Sequence, residues 1–303
     1  MLPAPGFHHL HLNSVDPEAA IGFYTRQFAS TSRTLWGGFP ALSSPNDVLI
    51  LFSQVDAPAP RQPQSAIWHF GWHVPDSRKT LAAFQSRGEV RMMPLYTGDG
   101  DGAVFISSDT WPGAGGALGR TKPQIDEAKK SGVEPTRVGG FAYMLGPDDA
   151  LVEFAGNHPK ERFNHVHMWQ EDPVAAQRWY QEHLNAATNP GFASSATASI
   201  PRSPDRTFPS LDRDGSFRSP RAGVQFGDIG VFWYANQSDA PLASSLGQLQ
   251  DHFGLSVADL DAWIAKLKGE GVRFLADPYR LGDTRAVMIE GPSREAIELV
   301  EVR

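Results

Sequence analysis

Short runs of alternating side chains, each followed by apolar residues at helical spacing, recur four times along the chain. The run that opens at Phe7 reads FHHLHLNS and predicts a strand, and the apolar residues after it recur every three or four positions, which predicts an amphipathic helix. Similar successions begin near Ile67, Phe163 and Leu249. An aspartate stands before each predicted helix and can accept hydrogen bonds from the first free N–H groups of that helix. These aspartates are Asp16, Asp76, Asp172 and Asp259.

Strand-like runs also follow each predicted helix, and VLILF at Val48–Phe52 is the most apolar of them. Together the patterns predict four units, each with an opening strand, a helix and about three further strands. Two units make up each half of the chain, residues 1–157 and residues 158–303. The predicted boundary between the halves falls in the polar stretch Asn157–Glu161.

Sequence identities between the units support this division. FHHLHLNSVDPEAAIGFYTRQF in the first half aligns with FNHVHMWQEDPVAAQRWYQEHL in the second, and IWHFGWHVPDSRKTLAAF aligns with the segment that begins at Leu249. Self-similarity at a fixed period is the mark of a duplicated fold. The matched residues include His9 with His165, His11 with His167, His69 with His252, and Gly71 with Gly254.

Composition narrows the classes of partner. Of the 303 residues, 41% are hydrophobic and 20% are charged, as in globular proteins, and the net charge of −7 argues against nucleic acid or an anionic membrane as a partner. No apolar run approaches the ~18 residues that a membrane span needs. The absence of cysteine excludes disulfides, thiolate metal sites and a cysteine nucleophile. No signal peptide is visible, which fits either a cytoplasmic protein or an exported one whose leader has been removed.

The histidines on the opening strands, together with a glutamate on the last strand of each half, resemble the vicinal oxygen chelate superfamily. That superfamily includes glyoxalase I, extradiol ring-cleaving dioxygenases, fosfomycin and bleomycin resistance proteins and several epimerases. The glutamates are Glu153, after GPDDALV, and Glu298, after GPSREAI. The resemblance covers nearly the whole chain and implies an α+β fold of four βαβββ units paired into two modules. Each module is expected to be a cupped, incompletely closed mixed β-sheet with its helices outside.

The resemblance also implies two metal sites, because in this family the two units of a module curl around one metal. Two imidazoles and one carboxylate leave open coordination positions, an arrangement typical of non-haem Fe(II) oxygenases. Zn, Ni, Co or Mn can occupy the same ligands as a Lewis acid. The implied ligands are His9, His69 and Glu153 in the first module, and His165, His252 and Glu298 in the second.

Further polar residues are candidates for acid–base or supporting roles, or for hydrogen-bonded packing inside the cup. Residues two apart in a strand share a face, so His11 and His167 are expected to point the same way as His9 and His165, and His73 the same way as His69. Tyr143 lies ten residues before Glu153, where extradiol dioxygenases have a substrate-contacting tyrosine, and Met288 takes that place in the second half. Strict alternation puts His8 and Asn164 on the opposite face, as structural residues.

Two long insertions distinguish the halves. One lies in residues 190–223 and is rich in Ser, Pro and Arg, and the other surrounds WPGAGGALGRTKPQIDEAKKSG in the first half. Long loops in compact domains are often lids or binding segments, so the arginines of the first insertion are candidates to hold an anionic substrate.

Three functions remain open at this level. The first hypothesis is an extradiol-type dioxygenase that uses Fe(II) and binds a small oxygen-rich or aromatic substrate, in a chain that is a monomer or a homodimer. GPDD replaces the D-P-x-G turn of the extradiol signature, and no histidine lies upstream at Glu134–Thr136, which argues against ordinary catechol cleavage. The second hypothesis is a glyoxalase-like lyase or isomerase, in which a divalent metal stabilises an enediolate. The third is a metal-free ligand-binding protein of the resistance type.

Overall fold

The computed structural model describes residues 2–93, 96–98, 102–107, 130, 139–189, 221–236 and 240–302, so both predicted insertions lie largely outside the described residues. Four α-helices lie wholly within these ranges, and each begins directly after its predicted aspartate. In every case the aspartate side chain accepts a hydrogen bond from a backbone N–H in the first turn, which confirms the predicted helix starts. The helices are α1 (Pro17–Gln27), α2 (Ser77–Arg87), α3 (Pro173–Leu184) and α4 (Leu260–Gly269). Each of these helices is too short to cross a membrane.

Eighteen strands are described, and they follow the four predicted units. Unit one contains β1 (Gly6–Ser14), β2 (Ser32–Trp36), β3 (Phe39–Ser43) and β4 (Leu49–Gln54). Unit two contains β5 (Ile67–His73), β6 (Arg91–Met93), β7 (Tyr96–Gly98), β8 (Gly102–Val104), β9 (Phe141–Leu145) and β10 (Leu151–Ala155). Unit three contains β11 (Arg162–Gln170), β12 (Ala187–Thr188), β13 (Arg221–Phe226) and β14 (Ile229–Ala235). Unit four contains β15 (Gln250–Val257), β16 (Tyr279–Leu281), β17 (Thr284–Glu290) and β18 (Ala296–Glu301).

The strands form two mixed eight-stranded sheets and one small ribbon, β7–β8. Sheet one has the order β16-β17-β18-β15-β1-β4-β3-β2, and sheet two has the order β12-β13-β14-β11-β5-β10-β9-β6. In each sheet the two opening strands lie side by side and antiparallel, with a parallel strand on the other side of each. The α+β fold of four βαβββ units paired into two curled sheets is therefore confirmed.

The units do not pair as the halves of the sequence suggest. Sheet one joins unit one with unit four, and sheet two joins unit two with unit three. Residues 1–157 and 158–303 are two halves of the chain, but neither half closes a cup of its own. The physical reason is that all four opening strands carry similar patterns, so β1 can form the same antiparallel pairing with β15 as it would with β5.

Four phenylalanines hold the two sheets together, one from each opening strand. The ring centroids of Phe7 and Phe163 lie 5.8 Å apart, those of Phe7 and Phe253 5.9 Å, and those of Phe70 and Phe163 6.3 Å. All four are buried in a single core that runs through both halves. The opposite faces of the opening strands line the two cups.

The edges of sheet one approach each other, so that sheet curls almost into a barrel. Trp36 and Phe39, at the β2–β3 turn, pack with Leu281 of β16. Gly37 and Gly282 have positive φ in their turns, and a Cβ on Gly282 would lie 2.9 Å from the Cα of Gly37. A cavity of about 580 Å³ follows the seam between these edges.

Candidate metal centres

The first centre, called site one, lies in the cup of sheet one. His9 of β1 and His252 of β15 lie diagonally across the antiparallel pair, with ring centroids 5.5 Å apart. Glu298 of β18 reaches towards them, and its Oε2 lies 3.3 Å from Nε2 of His9. Exposure of the three residues is 0%, 7% and 3%, so the carboxylate and both imidazoles are removed from bulk water.

The second centre, site two, repeats this arrangement in sheet two. His165 of β11 and His69 of β5 have ring centroids 5.5 Å apart. The carboxylate of Glu153 on β10 lies between them, 3.2 Å from Nε2 of His69 and 3.8 Å from Nε2 of His165. The two sites therefore have the same kinds of donor, two imidazoles and one carboxylate, although the carboxylate lies beside His9 in site one and nearest to His69 in site two.

The structure brings all six predicted ligands into sites but groups them differently from the prediction. The implied sets placed His9 with His69, and His165 with His252, but each of those pairs is divided between two sheets. The grouping was wrong because it assumed that neighbouring units in the chain share a cup. The sets that the structure brings together are His9, His252 and Glu298, and His69, His165 and Glu153.

A third histidine belongs to each cluster. His11 lies directly across the strand pair from His252, and His167 lies directly across from His69. In each triplet of histidines the potential ligand atoms lie within 4.8 Å of one another, so His11 and His167 are within reach of the same ion as the predicted ligands. His11 also shares a hydrogen bond of 2.8 Å with Ser53 through its Nε2, and burial lowers its pKa to about 3.

Two glycines make room for the first histidine of each site. Gly254 pairs with His9, and an added Cβ at Gly254 would lie 2.0 Å from Cε1 of that ring. Gly71 pairs with His165, and its Cβ would lie 2.4 Å from Cε1 there. Each glycine lies two residues after the second histidine of its site. The tripeptide HFG therefore contains one predicted ligand and, at its glycine, leaves room for the ring of the other histidine.

β-Bulges turn the residue before each ligand histidine towards that histidine. The register slips by one residue at His8 and again at Asp251 in sheet one, and at Asn164 in sheet two. Nδ1 of His8 bonds Nδ1 of His9 at 2.8 Å, and Oδ1 of Asn164 accepts from Nδ1 of His165 at 2.9 Å. The prediction that His8 and Asn164 point away was therefore wrong, because a bulge breaks the strict alternation on which it depended.

The chemistry of the donor atoms fits a divalent cation. Among the described residues, Nε2 of His9, His165 and His252 and Oε2 of Glu298 are buried without a hydrogen-bond partner. Burial lowers the pKa of His9 well below its usual value and lowers that of His165 to about 4, so these rings are neutral, the form that binds metals. Burial also raises the pKa of Glu298, a cost that a bound cation would remove.

The remaining predicted residues lie around the sites at different distances. Tyr143 of β9 is paired with Glu153, and its ring centroid is 5.1 Å from that of His69. His73 is not part of the cup itself, because its Nε2 accepts from Nδ2 of Asn164 at 2.6 Å and its ring stacks on His158. Its contact with site two runs through Asn164.

Sequence reasoning missed Tyr279 and Asp251. The hydroxyl of Tyr279 on β16 donates to Oε1 of Glu298, and burial near that carboxylate raises the pKa of the phenol. Asp251 accepts from Nδ1 of His252 at 2.6 Å. Asp251 directly precedes a matched histidine in the sequence, which is the only signal that could have singled it out.

No family model matches the chain, and no curated protein matches it in sequence. Solved structures do match it. Glyoxalase I from Zea mays aligns with a TM-score of 0.61 at 13% identity, over 98% of this chain and 92% of the glyoxalase chain. A proposed dioxygenase from Bacillus subtilis subsp. subtilis str. 168 aligns with a TM-score of 0.57 at 9% identity, over 99% of this chain and 86% of the other. At such low identity the likeness concerns the fold alone, and with its paired βαβββ units this chain has the fold seen in maize glyoxalase I.

Proposed function

We propose that the protein is a metal-dependent enzyme that binds a small oxygen-rich or aromatic substrate at a 2-His-1-carboxylate centre. Within that class we propose an extradiol-type ring-cleaving dioxygenase that uses Fe(II). The observation that carries the proposal is that, among the described residues, each site places one glutamate beside two buried ligand imidazoles.

Each cup is built from two similar units, so one unit has a position that corresponds to the glutamate of the other. That corresponding position is occupied by an apolar residue in both cups. In sheet one, Leu51 of β4 holds the place that Glu298 holds on β18, because each lies two residues beyond the partner of a ligand histidine. In sheet two, Phe232 of β14 corresponds in the same way to Glu153. A centre with two imidazoles and one carboxylate leaves positions open for substrate oxygens and dioxygen, which is the pattern of non-haem Fe(II) oxygenases.

The chain's own residues supply binding, orientation and proton transfer. When bound, Fe(II) would hold the paired oxygens of the substrate and activate dioxygen. His11 and His167 lie within reach of the same centres, where an imidazole can accept a proton from a substrate hydroxyl. The buried cup excludes bulk water from the reacting groups.

Aromatic side chains beside each centre favour a planar substrate. In site one, the ring of Phe39 lies edge-on to His11 with centroids 4.7 Å apart, and Trp36 lies 6.0 Å from His9. In site two, Tyr143 and Phe232 flank the histidines. Offset or edge-to-face contact with such rings stabilises a bound aromatic ring.

The test begins with metal content. Protein purified without added metal is analysed for its elements, then stripped, reconstituted anaerobically with Fe(II) and screened for oxygen uptake with catechols and hydroquinones. We expect iron-dependent oxygen uptake, and we expect Glu298→Ala and Glu153→Ala each to remove about half of the bound metal. Glu290→Ala is the matched control, since its carboxylate also lies in sheet one but pairs with the guanidinium of Arg273 at 2.8 Å. Full metal retention in both site variants would contradict the proposal.

The second candidate is a glyoxalase-like lyase or isomerase, favoured by the alignment with maize glyoxalase I over nearly the full length of both chains. In that case the two imidazoles and the glutamate of a site would hold a divalent metal that supplies Lewis-acid stabilisation of negative charge on the substrate oxygens, and His11 or His167 would move the proton. Proton exchange on hemithioacetals with Zn or Ni, without oxygen uptake, would favour this candidate. Ligand binding by a metal-free protein would instead favour a sequestering role.

A further inference from the structure

The two centres differ in the bulge residue that contacts the second histidine. In site one this residue is Asp251, whose Oδ1 accepts from Nδ1 of His252 at 2.6 Å. In site two the register slips at Trp68, whose indole ring lies edge-on to His69 with centroids 4.1 Å apart. An aspartate and a tryptophan thus occupy equivalent positions in the repeat.

Three elements hold the Asp251 carboxylate in place. Its Oδ2 accepts from the backbone N–H of Gly247 at 2.6 Å and from Nδ2 of Asn13 at 3.2 Å. Asn13 belongs to β1 and also donates to the carbonyl of Gln248 at 2.8 Å. The carboxylate is therefore fixed between β15, the loop before it and β1.

This geometry determines which nitrogen of His252 faces the cup. A carboxylate only accepts hydrogen bonds, so Nδ1 of His252 carries the proton and the lone pair of Nε2 points into site one. Carboxylates that bond a ligand histidine in this way orient the ring and make it a stronger ligand. An indole has a donor but no acceptor, so Trp68 cannot act on His69 in the same way.

The negative charges around the two sites also favour tighter binding of a cation at site one. Besides Glu298 on its ligand face, site one has a second carboxylate, Asp251, behind the ligand His252. Among the described residues, Glu153 is the carboxylate of site two, and the first histidine of that site is bonded by the neutral amide of Asn164. A divalent cation is stabilised by each nearby negative charge, most of all in a buried site.

We propose that site one is the higher-affinity metal site of the two, and that Asp251 is the positioning residue responsible for the difference. The inference rests on the proposed metal-dependent function and assigns unequal roles to the two cups. Glu153→Ala leaves site one intact and Glu298→Ala leaves site two intact, so each affinity is measurable in the full chain.

The experiment titrates both stripped variants with Co²⁺, followed by its visible absorbance and by competition with a chelator. Site one, in the Glu153→Ala chain, is expected to bind Co²⁺ about 10–100-fold more tightly than site two. Adding Asp251→Asn to the Glu153→Ala chain is expected to remove most of that advantage. Asp283→Asn is the matched control, because it removes the same charge from an exposed turn near the seam of sheet one.

The outcomes separate this inference from the proposed function. Equal affinities in the two single-site variants, or equal effects of Asp251→Asn and Asp283→Asn, would overturn the inference while leaving metal binding intact. If both Glu153→Ala and Glu298→Ala kept their full Co²⁺ binding, the metal sites themselves would be rejected. Circular dichroism and melting of the metal-free variants show whether a weaker site reflects a damaged fold.

Discussion

At the scale of single residues, the sites depend on space as much as on ligands. The His9 ring lies against the backbone of β15 only because residue 254 has no side chain. We expect Gly254→Ala to displace that ring, to abolish metal binding at site one and to destabilise the protein by about 1–3 kcal/mol. Metal stoichiometry and urea unfolding measure the two effects.

Gly269→Ala is the control for this substitution. Gly269 ends α4, an added Cβ there meets no atom within 4 Å, and its φ is not in the left-handed region. We expect that variant to keep its metal and to change stability by less than about 1 kcal/mol. Full metal binding at site one by Gly254→Ala would show that the His9 ring does not need this space.

The neutral histidines also predict a dependence of stability on pH in the metal-free protein. Burial lowers the pKa of His165 to about 4 from its usual 6.5, against the opposing charge of Glu153. Between these values the unfolded chain binds a proton that the folded chain does not, so the contribution of His165 is complete above about pH 6.5 and is lost as the pH falls towards 4. The loss amounts to about 3 kcal/mol at most.

His165→Gln removes this titration while keeping a polar side chain beside Asn164. Urea unfolding in the presence of a chelator, at pH 7.5 and at pH 5, gives the difference in unfolding free energy between wild type and variant. We expect the wild type to lose stability relative to the variant at the lower pH. A difference that is the same at both pH values would contradict a depressed pKa for His165.

At the scale of elements, the helix starts are the most predictable feature of the chain. Asp172 accepts from the N–H groups of Val174 and Ala175 at 3.0 and 2.9 Å, as the sequence pattern predicts. We expect Asp172→Ala to lower the unfolding free energy by about 1 kcal/mol, whereas Asp172→Asn, which keeps an acceptor, changes it by much less. Equal losses in the two variants would mean that the hydrogen bonds do not stabilise α3.

The opening strands were predictable as strands but not in their detail. Alternation correctly places His9 and His11 on one face, because that part of β1 is regular. It fails at His8 and Asn164, since a bulge adds a residue without any distinctive composition in the sequence. The contacts that orient the predicted ligand histidines come from these bulge positions. Alternation along a strand therefore identifies the ligand histidines more readily than the residues that hold them in place.

At the scale of the whole molecule, four units could be predicted but not their partners. Units with similar opening strands can pair in more than one way, and the local pattern of β1 suits either β5 or β15. The lengths of the connections between units contain the information on pairing that the strand patterns lack. Six residues, 156–161, join units two and three within sheet two, whereas β4 and β5, and likewise β14 and β15, lie in different sheets and are separated by more residues. The polar composition of this shortest connection predicts a domain boundary, although the connection links two units of the same cup.

The shared sheets predict that the two halves unfold together. Phe7 is 7% exposed and packs against Phe163 and Phe253, both from the other half of the chain. Phe7→Ala should lower the unfolding free energy by about 3–5 kcal/mol, and should do so in a single calorimetric transition in which amide protection falls in both sheets. Leu35→Ala, at a position 70% exposed on the edge strand β2, is the control and should change little. Two transitions, with Phe7→Ala lowering the midpoint of only one, would show instead that residues 1–157 and 158–303 unfold as independent domains. We do not expect this result, because each sheet contains strands from both halves.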